Sequence, residues 1–401
     1  MRVLIYFDKN MLAPTGGPAG YLYNVHNELT KEKIKNVDFL NEEKLKIKLK
    51  KMIKKLINKG PRIIKKIQSN RSDNYGEKII REVFYNKGFY SNVDLNQYDI
   101  VHFHSTLSMY MVKDSLETYK GIVILTSHTP KVSYLEILDH VNEKSRKKYQ
   151  KEVLNLSIID EYAFNRADYI QFPTSESEEC YYNTWKKYSE IHDINKEKYV
   201  YIPTGINPVK IIENKEELRK KYEIPNDAFV ISYIGRHNEV KGYDKLKKIG
   251  EKVLSQYKNV YFLVGGRQEP MKGLENDRWI EVGWTDKPHD LVNASDLFIL
   301  PNKETYFDLV LLEVLSIGKT VLLTNTGGNK YFKRFESDGL IFYDYGDEIT
   351  AVEKIGDIIN KDLQENEKIN KKIFEENFSI DIFVRKYMDF LKEIYRKNEQ
   401  G

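Results

Sequence analysis

The 401-residue chain holds a single cysteine, Cys180, which excludes an internal disulfide framework, and no Cys/His cluster has the spacing of a zinc site. A reducing cytoplasm is the expected home. No run of about 18 uncharged apolar residues occurs, so no membrane-spanning helix is expected. The first residues, RVLIYFD, enter a strand pattern where a signal peptide would put a basic and then an apolar region, and export by that route is not expected. A large excess of charge of one sign is lacking as well. A net charge of +4 is too small for this length to argue alone for nucleic acid or membrane partners.

What is present is ordinary for a folded protein: 41% hydrophobic and 31% charged residues, far from the signature of disorder. The length fits two α/β domains of roughly 150 to 200 residues. Short apolar, β-rich runs recur with room for helices between them at Arg2 to Asp8, Ile100 to Ser105, Ile122 to His128, Tyr169 to Thr174 and Val200 to Pro203. A second series follows at Phe229 to Gly235, Val260 to Gly265, Trp279 to Gly283, Leu297 to Leu300, Thr320 to Thr324 and Leu340 to Tyr343. This rhythm predicts two parallel sheets with crossover helices. The junction is expected near Thr204 to Asn214, giving domains over 1–205 and 206–378. An amphipathic helix over 379–401, with Phe383, Tyr387, Phe390 and Leu391 on one side, should pack back on the body.

The segment 44–71 breaks the pattern. It holds twelve Lys or Arg and no Asp or Glu, while Leu45, Leu49, Met52, Ile53, Leu56, Ile63, Ile64 and Ile67 recur near helical period around Gly60-Pro61. A solvated insertion packed on the first domain and a peripheral anchor on anionic lipid both fit this composition. Nucleic acid does not, because aromatic residues that stack on bases are absent from the segment.

Parallel sheets bind ligands beyond the carboxyl ends of their strands, and here those ends carry small and polar residues. In YIGRHNEVKG, Gly235 permits a close turn, and Arg236 and Lys241 can converge on a diphosphate, the arginine as a bidentate partner and the lysine as a point charge. An exposed basic loop is the plain alternative. In PNKETYFDLVLLEVLSIGK, a polar loop precedes an apolar helix that aims backbone N–H groups at a ligand, and the Glu313 carboxylate matches the two hydroxyls of a ribose. In TGGPAGYLYN, Gly16 and Gly17 allow close backbone approach and Pro18 suits a first helical turn, an arrangement that attracts an anion. A matching turn at Gly327 and Gly328 offers a second anion-friendly helix start. His104 and His128 end strands, and His128 is the better candidate for contact with a reacting sugar; His102 alternates with His104 and reads as buried structure. The histidines at 26, 140, 192, 237 and 289 have no comparable setting. There is no Asp-x-Asp to hold a metal on a nucleotide diphosphate, so Arg236 and Lys241 would neutralise the leaving group, and neither metal nor cofactor is expected.

With these residues in place the chain resembles glycosyltransferase family 4, the retaining GT-B enzymes, through GGPAGYLYN, DIVHFHS, LTSHTP, ADYIQFPTS, YIPTGI, YIGRHNEVKG, the VGW and ASDLFILP blocks, and TYFDLVLLEVLSIGKTVLLTNTGG. The resemblance implies two facing Rossmann-like domains with a deep interdomain cleft. It implies a nucleotide-sugar donor, a UDP-sugar first, on the C-terminal domain, with Arg236 and Lys241 on the diphosphate, Glu313 on the ribose and Gly283, Trp284 and Thr285 near the base. The N-terminal domain would hold a glycan or lipid-linked saccharide acceptor on the side of Gly16 and His104, with Gly17 near the diphosphate and His128 near the transferred sugar. The family sets two glutamates with seven residues between them. Counting back from Glu313 reaches Thr305, with Glu304 one position early, so either Glu304 serves through a bulge or Thr305 and the backbone of Tyr306, Phe307 and Asp308 hold the sugar. Asp308 itself stands where a small residue is usual.

A transferase building surface polysaccharide or glycoconjugate, on or near the cytoplasmic membrane face, is the leading expectation. A non-catalytic partner subunit, suggested by the displaced glutamate, and an epimerase or phosphorylase on the same architecture are the alternatives.

Overall fold

The structure, a computed structural model, describes residues 1–7, 12, 17–40 and 75–400. The readings at Thr15, Gly16 and the basic 44–71 segment lie outside the described residues.

Among the described residues, twelve strands form two six-stranded sheets. The first contains β1 (Val3–Tyr6), β2 (Val37–Phe39), β3 (Ile100–Phe103), β4 (Ile122–Thr126), β5 (Tyr169–Phe172) and β6 (Tyr199–Tyr201), in the order β2-β1-β3-β4-β5-β6. The second contains β7 (Phe229–Ile234), β8 (Val260–Gly265), β9 (Trp279–Gly283), β10 (Leu297–Leu300), β11 (Thr320–Thr324) and β12 (Leu340–Tyr343), in the order β12-β11-β10-β7-β8-β9. Every pairing is parallel. A parallel sheet is covered on both faces, so its inner strands need apolar side chains in both directions. VLIY, IVHF, IVILT and LFIL are accordingly buried at every position. The short β2 is the strand that the hydrophobic rhythm misses: its sequence, VDF, carries a charge and only three residues.

Helices seal these faces. In Tyr243–Gln256 the residues Leu246, Ile249 and Val253 recur at helical spacing and are buried in one cluster with Phe262, Val264 and Trp279 of β8 and β9. The last helix, Ile380–Gln400, buries Phe383, Tyr387 and Leu391. Among the described residues no helix is long and apolar enough to cross a membrane.

The chain divides into two compact units, one of Met1–Phe172, Tyr181–Tyr201 and Tyr387–Gly401, the other of Pro173–Cys180 and Ile202–Lys386. The main crossing, between Tyr201 and Ile202, lies beside the junction expected near Thr204, and the division adds further crossings before Pro173, Tyr181 and Tyr387. The short block after β5 belongs with the second unit, and the last helix begins in the second unit and ends in the first. No shift of composition marks these crossings, because they follow from which side chains the segments touch. Tyr387, for instance, hydrogen-bonds His102 Nδ1 at 2.7 Å, and Phe390 packs edge-on to Tyr169 at 5.6 Å.

Candidate functional site

In the second sheet the chain runs outward through β7, β8 and β9 and then returns to lay β10 against the other side of β7. Ligands of open parallel sheets bind where the strand order reverses in this way, beyond the carboxyl ends of the two strands. The loops there are 235–242, after β7, and 301–308, after β10, and the sequence reading had singled out both. They are stitched together by backbone: Lys303 N donates to Val240 O at 3.0 Å. Gly242 caps the helix Tyr243–Gln256 with φ +66°, and a Cβ there would lie 1.7 Å from Pro301 O. Its glycine is required twice, by the left-handed backbone and by the close approach. Gly242→Ala is therefore expected to destabilise the second unit by about 3 kcal/mol or more in urea unfolding. Gly346→Ala, also at positive φ but with nothing within 4 Å of the added carbon, should cost about 1 kcal/mol. Equal losses would contradict the packing argument.

The two cations behave differently. Lys241 Nζ lies 2.5 Å from Asp308 Oδ2, whereas the exposed Arg236 guanidinium is paired with no carboxylate among the described residues. Asp308 is buried and caps the helix Leu309–Ile317, its Oδ1 accepting from Val310 N at 3.3 Å, while Asn302 Nδ2 donates to Oδ2 at 2.8 Å. Burial alone would raise the Asp308 pKa, but the Lys241 ammonium, with the hydrogen bonds from Lys241, Asn302 and Val310, leaves it below the ordinary carboxylate value. Sequence could mark Asp308 as unusual after an aromatic residue; only geometry shows that its partner is the very lysine assigned to the diphosphate.

Glu304 is half-buried at the rim of the same loop, and Thr305 and Tyr306 are buried. Phe307 turns its ring into an aromatic cluster, 5.7 Å from Phe332 and 6.3 Å from Phe378 between centroids. Glu313 is half-exposed on a helix whose Leu311, Leu312, Val314 and Leu315 are buried, so its carboxylate is the polar group that helix presents. Its neighbour is His289 Nε2, at 3.3 Å. His289, set aside in sequence, belongs beside the ribose candidate, and the fold of Pro288–Ala294 against that helix is what brings it there. At the end of β9, Gly283 adopts φ +76°, Trp284 is 69% exposed and Thr285 Oγ1 accepts from Lys287 N at 3.0 Å. A large apolar side chain left that open suits an aromatic ligand face.

The turn at Gly327 and Gly328 corrects its sequence reading as an open anion site. Its leading N–H is already taken: Gly327 N donates to Glu179 Oε1 at 2.9 Å, and Lys330 pairs with the other oxygen. The glycines are there for backbone approach. A Cβ on Gly327 would sit 2.0 Å from Thr305 O, and one on Gly328 2.2 Å from Tyr306 O.

In the first unit the order reverses between β1 and β3. Gly17, at φ +78°, precedes the helix Pro18–Lys31 and is exposed. His104 follows β3, is buried, and its Nδ1 is hydrogen-bonded to His128 Nε2 at 2.8 Å. His102 is fully buried, bonded to Thr126 Oγ1 at 2.8 Å as well as to Tyr387. Burial, with a smaller contribution from His128, pushes the His102 pKa down to about 3; burial, with the neighbouring His102 and His128, also depresses His104. Since His102 stays neutral when folded and protonates near pH 6.5 when unfolded, the unfolded chain binds more protons below pH 6.5, and stability falls as pH drops from there toward 3. At pH 5 the loss from His102 is about 2 kcal/mol. Urea unfolding at pH 7 and pH 5 checks this, and His102→Gln should shrink the difference between the two.

Residues 214–376 match the family model of the glycosyl transferases group 1. The O-antigen biosynthesis glycosyltransferase WclY of Escherichia coli is 21% identical over 211 residues, 50% of this chain and 57% of that protein. The Escherichia coli UDP-Gal:α-D-GlcNAc-diphosphoundecaprenol α-1,3-galactosyltransferase is 27% identical over 160 residues, 36% of this chain and 41% of that protein. The chain thus spans about half the length of the curated relatives it matches. Among solved structures, the sucrose-phosphate synthase of Thermosynechococcus elongatus superposes with a TM-score of 0.64 at 16% identity, covering 98% of this chain and 99% of that one. That likeness shows the fold, a two-domain α/β architecture of the GT-B class. Through residues 214–376, the chain is similar to the group 1 glycosyl transferases.

Proposed function

We propose that the chain is a retaining glycosyltransferase that moves a sugar from a UDP-sugar to a glycan or lipid-linked saccharide in the synthesis of surface polysaccharide, without a metal. The observation that carries this reading is the meeting of Arg236, Lys241 and the Glu313 helix at the β7/β10 reversal of a group 1 domain. In this reading Arg236 and Lys241 hold the diphosphate, Glu313 accepts the ribose hydroxyls, and Gly283 to Thr285 border the base. Either Glu304, or Thr305 with the backbone N–H groups of Tyr306 to Asp308, holds the sugar. The acceptor is assigned to the N-terminal unit, with His128 as the hydrogen-bonding partner of the transferred sugar and Gly17 beside the phosphates. Two relatives, an O-antigen biosynthesis glycosyltransferase and a UDP-Gal:α-D-GlcNAc-diphosphoundecaprenol α-1,3-galactosyltransferase, support the substrate class.

The bond from the anomeric carbon to the phosphate oxygen breaks, the acceptor oxygen bonds that carbon on the same face, and the departing phosphate oxygen takes the acceptor proton. Protein groups contribute positioning and charge stabilisation.

The test is transfer itself. UDP-galactose, UDP-glucose and UDP-N-acetylglucosamine are offered with undecaprenyl-diphosphate-linked saccharides, with and without EDTA, and the product anomer is read by NMR. Acceptor-dependent UDP release, unchanged by EDTA, with the donor's anomeric configuration kept, is the expected result. An inverted product overturns retention, and donor consumption without acceptor favours an epimerase. The engagement of Lys241 by Asp308, with Thr305 in the glutamate position, favours a second reading as a non-catalytic partner subunit, for which no donor would turn over.

A further inference from the structure

Asp308 is held from three sides, by Lys241 Nζ at 2.5 Å, Asn302 Nδ2 at 2.8 Å and Val310 N at 3.3 Å, and Asn302 is itself fully buried. These contacts hold the carboxylate beside Lys241. It makes the two candidate phosphate cations unequal: Arg236 offers its full charge, whereas the charge of Lys241 is offset by a fixed neighbour. A phosphate oxygen that hydrogen-bonds Lys241 would lie roughly 4 to 5 Å from the Asp308 oxygens, two hydrogen-bond lengths around one nitrogen.

We propose that Asp308 is a specificity-determining residue that makes the site favour a nucleotide-sugar over the nucleoside diphosphate left after transfer, by setting a fixed negative charge against Lys241. This inference rests on the donor-site reading above. The diphosphate of a nucleotide-sugar carries two negative charges, both on phosphodiester groups. Transfer leaves a terminal phosphate whose second ionisation lies at about pH 6, which adds a third charge near neutrality. A carboxylate some 5 Å away opposes that added charge and leaves the nucleotide-sugar less affected, so that the spent nucleotide is released more easily. At an effective dielectric constant of about 20 and with salt screening, the bias is on the order of tenfold. A helix cap alone would weaken or strengthen both ligands together. Among the described residues, the charged or titratable groups that bear on Asp308 are Lys241 and the Tyr233 phenol, which burial keeps protonated.

The experiment is calorimetric titration of the full chain and of Asp308→Asn with the pairs UDP and UDP-galactose, GDP and GDP-mannose, ADP and ADP-glucose, and dTDP and dTDP-glucose, at pH 8 and pH 5.5. Asp308→Ser, which keeps a capping hydroxyl without the charge, serves as the second variant. For the pair that binds, neutralising Asp308 should tighten the diphosphate about tenfold more than the nucleotide-sugar at pH 8, with the gap narrowing at pH 5.5. An equal change in both ligands, or none, overturns the inference while leaving the donor site standing. Failure of all four pairs to bind the wild-type chain overturns the donor-site reading and the inference with it.

Discussion

Arg236→Ala is expected to weaken nucleoside diphosphate binding about a hundredfold, the largest single loss in the donor site. The guanidinium has no internal carboxylate to satisfy among the described residues, so its removal leaves no orphaned partner, and the loss reports the ligand contact itself. Truncating one side of a hydrogen-bonded charge pair costs about 2 to 5 kcal/mol, and the exposed position puts this case at the lower end. Because the contact is electrostatic, the difference from wild type should shrink as salt is raised. Glu313→Ala should behave differently: a loss of roughly tenfold to a hundredfold, from hydrogen bonds to a charged group, that is insensitive to salt and is smaller for 2′-deoxy-UDP than for UDP. Calorimetry on the two variants distinguishes the contributions, and a wild-type affinity in Arg236→Ala would remove the arginine from the site.

Asp308→Ala should cost about 3 kcal/mol of stability in the second unit. About 1 kcal/mol of this is the lost cap of the Leu309–Ile317 helix. The rest is the broken pair with Lys241, set below the usual cost of a buried pair because the lysine side chain is 27% exposed and its ammonium can turn to water. Asp308→Asn retains the cap geometry and should lose about half as much. Since the Asp308 pKa is held below its ordinary value, the charge contribution is present above about pH 4 and disappears as acid protonates the carboxylate in the folded chain. Urea unfolding at pH 7 and pH 3 reads both effects. Equal stability of wild type and Asp308→Ala at pH 7 would mean that the pair contributes nothing.

Much of this was legible from the residues. Among the described residues, eleven of the twelve strands overlap runs that the hydrophobic rhythm marks, because a sheet covered on both faces writes an uninterrupted apolar run, and VLIY, IVILT and TVLLT are such runs. The candidate loops were legible for a related reason: the carboxyl end of a parallel strand is where the apolar run stops and Gly235, Gly283 or His104 begins. What stayed hidden is pairing across sequence distance. The turn at Gly327 looks the same in sequence whether its N–H awaits a ligand or holds Glu179, 148 residues away. His289 acquires meaning only beside Glu313, and Lys241 is altered by Asp308, 67 residues on. The crossings of the chain at Pro173 and Tyr387 belong to the same class.

The measurement that bears most directly on the account is a thermal-shift screen of the full chain against UDP, GDP, ADP, dTDP and their sugar conjugates, repeated with Arg236→Ala and Glu313→Ala. A ligand bound by the folded state alone raises the unfolding temperature by mass action. Stabilisation by one nucleotide family, UDP and its sugars, weakened in both variants, is the expected result. No shift with any nucleotide, or a shift that both variants retain in full, would contradict a donor site at the β7/β10 reversal.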